Sequence, residues 1–99
     1  MGAMALLTEA QVAEALAGLP GWERVGDTIE ATFTLRSFPA AVECIVAIAD
    51  RAEAMNHHPD LDLRYRRLRV VCSTHDAGGL TELDLTLAAA VSAIAGELA

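Results

Sequence analysis

The chain contains no lysine. All seven of its basic residues are arginine, against 14 acidic residues, and the formal net charge is −7. Such an excess of negative charge repels nucleic acid on average, so no nucleic-acid partner is expected. No apolar run approaches the ~20 residues needed to span a bilayer, so no membrane partner is expected either. The N-terminus lacks the charged start and long apolar stretch of a secretory signal, which makes the cytoplasm the expected location. Cysteine is scarce too. Cys44 and Cys72 sit in apolar segments and form no CxxC pair, so they are expected to be core thiols in a reducing compartment. No zinc-finger spacing and no HExxH occurs.

What the chain has is apolar bulk. Hydrophobic residues make up 54% of its 99 positions, enough to exclude disorder and to build one core. A single domain over residues 5–99 is expected, with Met1–Met4 read as a cloning scar.

The order of elements follows from caps, periods and breakers. Thr8 and Gln11 form a capping box ahead of Val12, Leu16 and Leu19, and Gly18, Pro20 and Gly21 stop that helix. Trp22–Val25 and Thr28–Leu35 read as strands joined at Gly26-Asp27. Ile29, Ala31, Phe33 and Leu35 alternate with Thr28, Glu30, Thr32 and Thr34, so one face is buried. Ser37 caps a second helix with Pro39 in its first turn. Its expected apolar stripe is Val42, Ile45, Val46, Ala49, Ala52 and Met55, and Pro59 forces it to end near His57. Leu61, Leu63 and Tyr65, then Leu68, Val70 and Cys72, give a second strand pair around an Arg66-Arg67 turn. Ala77-Gly78-Gly79 breaks the chain, and Thr81 with Asp84 caps a last helix carrying Leu83, Leu87, Val91, Ile94 and Leu98. The order α-β-β-α-β-β-α predicts an α+β fold, a four-stranded antiparallel sheet with helices packed on one face. Arg64, Arg66, Arg67 and Arg69 cluster at the second hairpin, as a solvated tip or as an anion- or partner-binding patch.

All three histidines fall between Glu53 and Asp84. With Arg66-Arg67 as a two-residue turn, Tyr65 pairs with Leu68 and His58 lies opposite His75, where cross-strand Cβ atoms are about 4.5–5.5 Å apart. His57 adjoins, and Asp84 opens the last helix near the same rim. Consecutive His57 and His58 point apart in an extended segment, which suits chelation poorly, so no metal is expected. Imidazole titrates near neutrality, which suits acid–base chemistry. No serine or cysteine carries a triad signature.

This stretch resembles the pterin-4a-carbinolamine dehydratases. Their signature runs from an acidic or polar residue over three residues to His-His-Pro, over five to an aromatic, over nine to His, and on to a downstream Asp. Here it reads Glu53, His57-His58-Pro59, Tyr65, His75 and Asp84, and the run from Ser73-Thr74-His75-Asp76 to Asp84 is similar to the family's as well. The resemblance covers the chain from about Leu7. It implies dehydration of 4a-hydroxytetrahydropterin to quinonoid dihydropterin in tetrahydropterin recycling, with the pterin as substrate and no cofactor. It implies His57, His58 and His75 as catalytic residues around the pterin; of these, His57 and His75 are expected to be the acid–base pair and His58 mainly positioning. Glu53, Pro59, Tyr65, Thr74 and Asp84 are the implied substrate-binding set. It also implies a homodimer or homotetramer and a link to aromatic amino acid hydroxylation. Some relatives are instead protein-binding modules, as dimerisation cofactors or assembly chaperones. Leu61 stands where many relatives carry Trp, and Leu83 where an Arg commonly precedes the Asp; both bear on substrate affinity.

Overall fold

The computed structural model describes residues 5–99, and the expected scar at Met1–Met4 lies outside the described residues. The elements run α1 (Glu9–Ala17), β1 (Glu23–Val25), β2 (Thr28–Thr34), α2 (Phe38–Met55), β3 (Asp60–Arg64), β4 (Arg67–Cys72), a 3-10 turn (His75–Ala77) and α3 (Glu82–Glu97). The four strands form one antiparallel sheet in the order β1-β2-β4-β3. This is the predicted α-β-β-α-β-β-α order.

Local chemistry sets the boundaries. Thr8 and Gln11 close the first capping box, with the Thr8 amide donating to Gln11 Oε1 at 2.8 Å. Gly26 takes φ +60° in the two-residue turn that pairs Val25 with Thr28, a conformation most side chains avoid. Ser37 Oγ accepts from the Ala40 amide at 3.1 Å and starts α2. Thr81 and Asp84 form the second capping box, which starts α3.

Ile29, Ala31, Leu68, Val70 and Cys72 point to one side of the sheet and are buried there with Val12 of α1, Cys44 and Ile48 of α2, and Leu87 and Val91 of α3. The other side of the sheet carries Glu30, Thr32, Arg67 and Arg69 and faces solvent.

Two expectations are corrected. The buried face of α2 is Ala40, Ala41, Cys44, Ile48 and Ala52, whereas Val42 and Val46 are exposed. The helix is apolar nearly all round, so periodicity admits two stripes. The stripe that wins is mostly small residues, which suits the close packing of α2 with α3 in the core. The helix ends near His57, as expected. It stops at Met55, because Asn56 adopts the left-handed conformation (φ +50°) and its amide caps back onto Ala52 and Glu53. The second hairpin turns at Tyr65-Arg66, so Arg64, not Tyr65, closes the ladder, and it pairs with Arg67. Tyr65 takes φ +56° there. His58 is therefore not opposite His75; the ladder begins only at Asp60, paired with Val71.

Candidate active site

Two backbone devices bring the histidines together. At the end of α2, the left-handed turn at Asn56 lets the His57 amide reach back to the Ala52 carbonyl at 3.0 Å. His57 is thereby tucked inward while His58 and Pro59 leave along the surface. After β4, Thr74 and Gly79 bridge each other. The Thr74 amide donates to the Gly79 carbonyl at 2.9 Å, and Gly78 takes φ +79°. That pinches His75, Asp76 and Ala77 into a short 3-10 loop standing above His57.

The result is an open cleft of about 220 Å³ lined by Asn56, His57, His58, Ser73, Thr74, His75 and Asp76. All three histidines line it, so the convergence holds although the register that predicted it does not. The hairpin ends meet through the Asn56 and Thr74 turns and not through a paired His58 and His75.

Beneath the cleft lies a closed polar relay. Asp84 is completely buried, and its Oδ1 is 2.7 Å from His57 Nε2. Its Oδ2 accepts from Thr74 Oγ1 at 2.8 Å and from the Thr81 amide at 3.0 Å. The Thr74 hydroxyl has one hydrogen, and that hydrogen goes to Asp84. Thr81 must therefore be the donor across the 2.8 Å contact between the two threonine hydroxyls. Thr81 Oγ1 in turn accepts from the Leu83 amide at 3.3 Å. Among the described residues no buried side-chain polar atom is left without a partner. As an acceptor-only carboxylate, Asp84 takes the proton-bearing Nε2 of His57. Nδ1 is then the ring nitrogen left with a lone pair for a ligand.

The other expected residues are placed differently. His58 Nε2 meets Glu53 Oε2 at 2.5 Å in an exposed pair. His75 is exposed on its loop, and Pro59 is half-buried. Thr74 is buried and lines the cleft floor. Asp84 offers no surface to a ligand, and its contacts toward the cleft are those with His57 and Thr74. Tyr65 is not brought to the cleft at all: it sits at the opposite end of the β3–β4 hairpin, 69% exposed, with its ring stacked on Phe38 at 6.5 Å. Within one chain, the aromatic of the spacing pattern is a turn residue. Leu61 faces the helix layer and packs against the core, and Leu83 is half-buried in the first turn of α3.

Sequence reasoning missed Asn56, Ser73 and Asp76 as cleft walls and Thr81 as a relay member. Asn at a helix end was an available sign of the left-handed cap. Thr81 was legible as an N-cap but not as a donor to Thr74, because that contact crosses between two loops. Among the described residues, no group of three or more His, Cys, Asp or Glu side chains is gathered so as to hold a metal ion.

Comparison with known proteins bears on this constellation. The family profile described as "Pterin 4 alpha carbinolamine dehydratase" matches residues 5–94. A Chloroflexus aurantiacus protein, provisionally named a pterin-4-alpha-carbinolamine dehydratase, is 50% identical over 93 residues, covering 94% of this chain and 100% of its own. A Mycobacteroides abscessus protein with the same provisional name is 48% identical, over 86% of this chain and 90% of that one. Among solved structures, a transcriptional coactivator/pterin dehydratase from Brucella melitensis superposes with a TM-score of 0.88 at 38% identity, covering 91% of this chain and 98% of that one. A pterin dehydratase-like RuBisCO assembly factor of the alpha-carboxysome has a TM-score of 0.62 at 20% identity, a likeness of fold alone. With the profile spanning nearly every described residue and relatives matched over most of their length, the chain belongs to the pterin 4 alpha carbinolamine dehydratase family.

Proposed function

We propose that the chain dehydrates 4a-hydroxytetrahydropterin to quinonoid dihydropterin and water in tetrahydropterin recycling. The observation that carries this reading is the Asp84-anchored His57 in a cleft that also holds His58 and His75. The reaction removes a hydroxyl from C4a and a proton from N5, so it needs one acid and one base and no electron transfer. His57, held with Nε2 toward Asp84, offers Nδ1 as the base for the N5 proton. His75, exposed across the cleft, is the acid that protonates the departing 4a-hydroxyl and is reloaded from solvent. His58, oriented by Glu53, positions the ring with Thr74 and Pro59. The pterin is the substrate, and no cofactor or metal enters the balance.

The cleft is smaller than the ~300–1,000 Å³ typical of enclosing ligand sites. A flat bicyclic ring bound at a partly open edge fits that size. Each positioned proton transfer is worth about 10²–10⁴ in rate. The test is dehydration of synthetic 4a-hydroxytetrahydropterin by the intact protein and by His57→Ala and His75→Ala. Turnover at background level in the intact protein would overturn the assignment.

Two buried free thiols and the lack, among the described residues, of any helix long and apolar enough to cross a membrane agree with a cytoplasmic setting. That setting suits service to an aromatic amino acid hydroxylase.

A second reading, a non-catalytic protein-binding module, has its own observation. Phe38, Val42 and Val46 lie exposed one helical turn apart along α2, with Tyr65 beside Phe38. The same surface suits a homodimer or homotetramer. Full dehydratase activity from a protein carrying a charged residue at Val46 would separate the surface from the cleft.

A further inference from the structure

The open face of the sheet carries a like-charge pair that the histidine cleft does not explain. Arg64 and Arg67 are direct partners in the last rung of β3–β4, and β2 places Thr34 on the other side of Arg67. The next rung is Thr32, Arg69 and Asp62, and the one beyond is Glu30, Val71 and Asp60. Like charges directly opposed across a sheet are destabilising. The neighbouring carboxylates relieve only one member of the pair, Arg64. Arg69 turns away from it and makes two bonds to Glu30, at 3.1 and 3.0 Å. Asp62 reaches Arg64 only at 3.4 Å, and among the described residues no salt bridge involves Arg67.

The tip is also held in place. Arg66 donates to the Leu35 carbonyl at 3.0 Å, and the Leu35 amide donates to the Arg66 carbonyl at 2.9 Å. Tyr65, in the left-handed region, is braced on Phe38. Between them, Thr32, Asp62, Arg64, Arg67 and Arg69 line a concavity of about 210 Å³, room for an oxyanion and a small substituent.

We propose that this concavity is a binding site for the phosphate group of a small molecule. Arg67 and Arg64 supply its charge-assisted donors and the Thr32 hydroxyl a further one. The planar guanidinium fork matches phosphate oxygens two at a time. A bound dianion converts the Arg64–Arg67 repulsion into a shared attraction. Asp62 at the wall accepts from a hydroxyl or amine of the same ligand and disfavours a bare polyanion. The site lies at the end of the hairpin away from the histidines and does not depend on the reaction proposed for them.

The test is titration of inorganic phosphate into isotope-labelled protein followed by NMR, with chloride holding ionic strength constant. Saturable shifts confined to Thr32, Asp62, Arg64, Arg67 and Arg69 are expected. Arg67→Gln and Arg64→Gln should each weaken them at least tenfold, while Arg51→Gln on α2 should leave them unchanged. Acetate should bind at least tenfold more weakly than phosphate. Both arginines are exposed, so the variants keep the fold, and the dispersion of the same spectra checks that. Shifts that never saturate, that spread to Arg51, or that survive Arg67→Gln would overturn the site. Equal binding of acetate would overturn the assignment to phosphate.

Discussion

His57 Nε2 stands 2.7 Å from the Oδ1 of Asp84, a carboxylate with no exposure to solvent. Asp84 opens α3 and His57 follows α2, so one contact locks the two helices together and fixes which nitrogen of the imidazole can serve a substrate. Asp84→Asn tests this. The amide keeps the shape but can present its NH2 group to His57, which favours the wrong tautomer. The expected result is a loss of about 10²–10⁴ in kcat with little change in KM. A stability loss of about 1–3 kcal/mol should accompany it, because Thr74 and the Thr81 amide lose a charged acceptor. Steady-state kinetics beside a thermal melt separate the two effects. A variant with normal kcat would show that the tautomer is held by something else.

The exposed histidines should behave differently from His57 and from each other. His75→Ala should lower kcat by about 10² or more, and it should not unfold the protein. His58→Ala should act mainly on KM. Glu53→Gln should change stability by less than about 1 kcal/mol, because its pair with His58 is more than half exposed. Near-full turnover in His75→Ala would remove it from the acid role.

Thr81 joins the stability of α3 to the geometry of the cleft. Its side chain is the N-cap, and its hydroxyl donates to Thr74. Thr81→Val should cost about 1–2 kcal/mol through the lost cap alone. Thr81→Ser keeps cap and donor, and it should retain most activity. If Thr81→Ser were as impaired as Thr81→Val, the methyl packing, and not the hydroxyl, would be the cause.

The exposed apolar stripe of α2 and the uncovered edges of β1 and β3 predict self-association. Sedimentation at micromolar concentration should show a homodimer or homotetramer. Val46→Glu should shift the protein toward monomer, since a charge placed in a buried apolar contact is costly. Only monomer in the unaltered protein would end the prediction.

Much of this molecule is legible in its sequence. Caps at Thr8, Ser37 and Thr81 are local and chemical, and each starts its helix where the sequence placed it. The alternation in β2 names its buried face correctly because a strand has only two faces. The misreadings share one cause. The face of α2, the turn at Tyr65-Arg66 and the relay through Thr81 are all settled by contacts between distant segments. A helix apolar nearly all round does not say which side meets α3. A turn without glycine does not say which non-glycine residue will take positive φ. Here Tyr65 takes it, with Phe38 and Leu35 to hold the tip. The pairing of His58 with His75 failed for that reason, and the cleft still formed because Asn56 and Gly78 turn both chain ends toward it.

Burial pushes the Cys72 thiol up to about 12, with the nearby Asp84 and Asp60 carboxylates adding to the shift. Burial also raises Cys44. The sign of the consequence is fixed by linkage. Below the ordinary thiol range both states keep the proton, and the contribution of Cys72 is fully present. From about pH 9 upward the unfolded chain ionises while the folded one does not, so the unfolded state binds fewer protons and stability falls with pH until about 12. Denaturant midpoints measured from pH 7 to 11 should therefore drop on the alkaline side. Cys72→Ala should lower the midpoint at every pH by the cavity it leaves, and it should also flatten the alkaline decline without abolishing it, because Cys44 remains. The same burial predicts that neither thiol reacts with a disulfide reagent at neutral pH until the protein is unfolded. A fast-reacting thiol in the native protein, or an unchanged alkaline slope in Cys72→Ala, would contradict a Cys72 held protonated beneath the same Asp84 that orients His57.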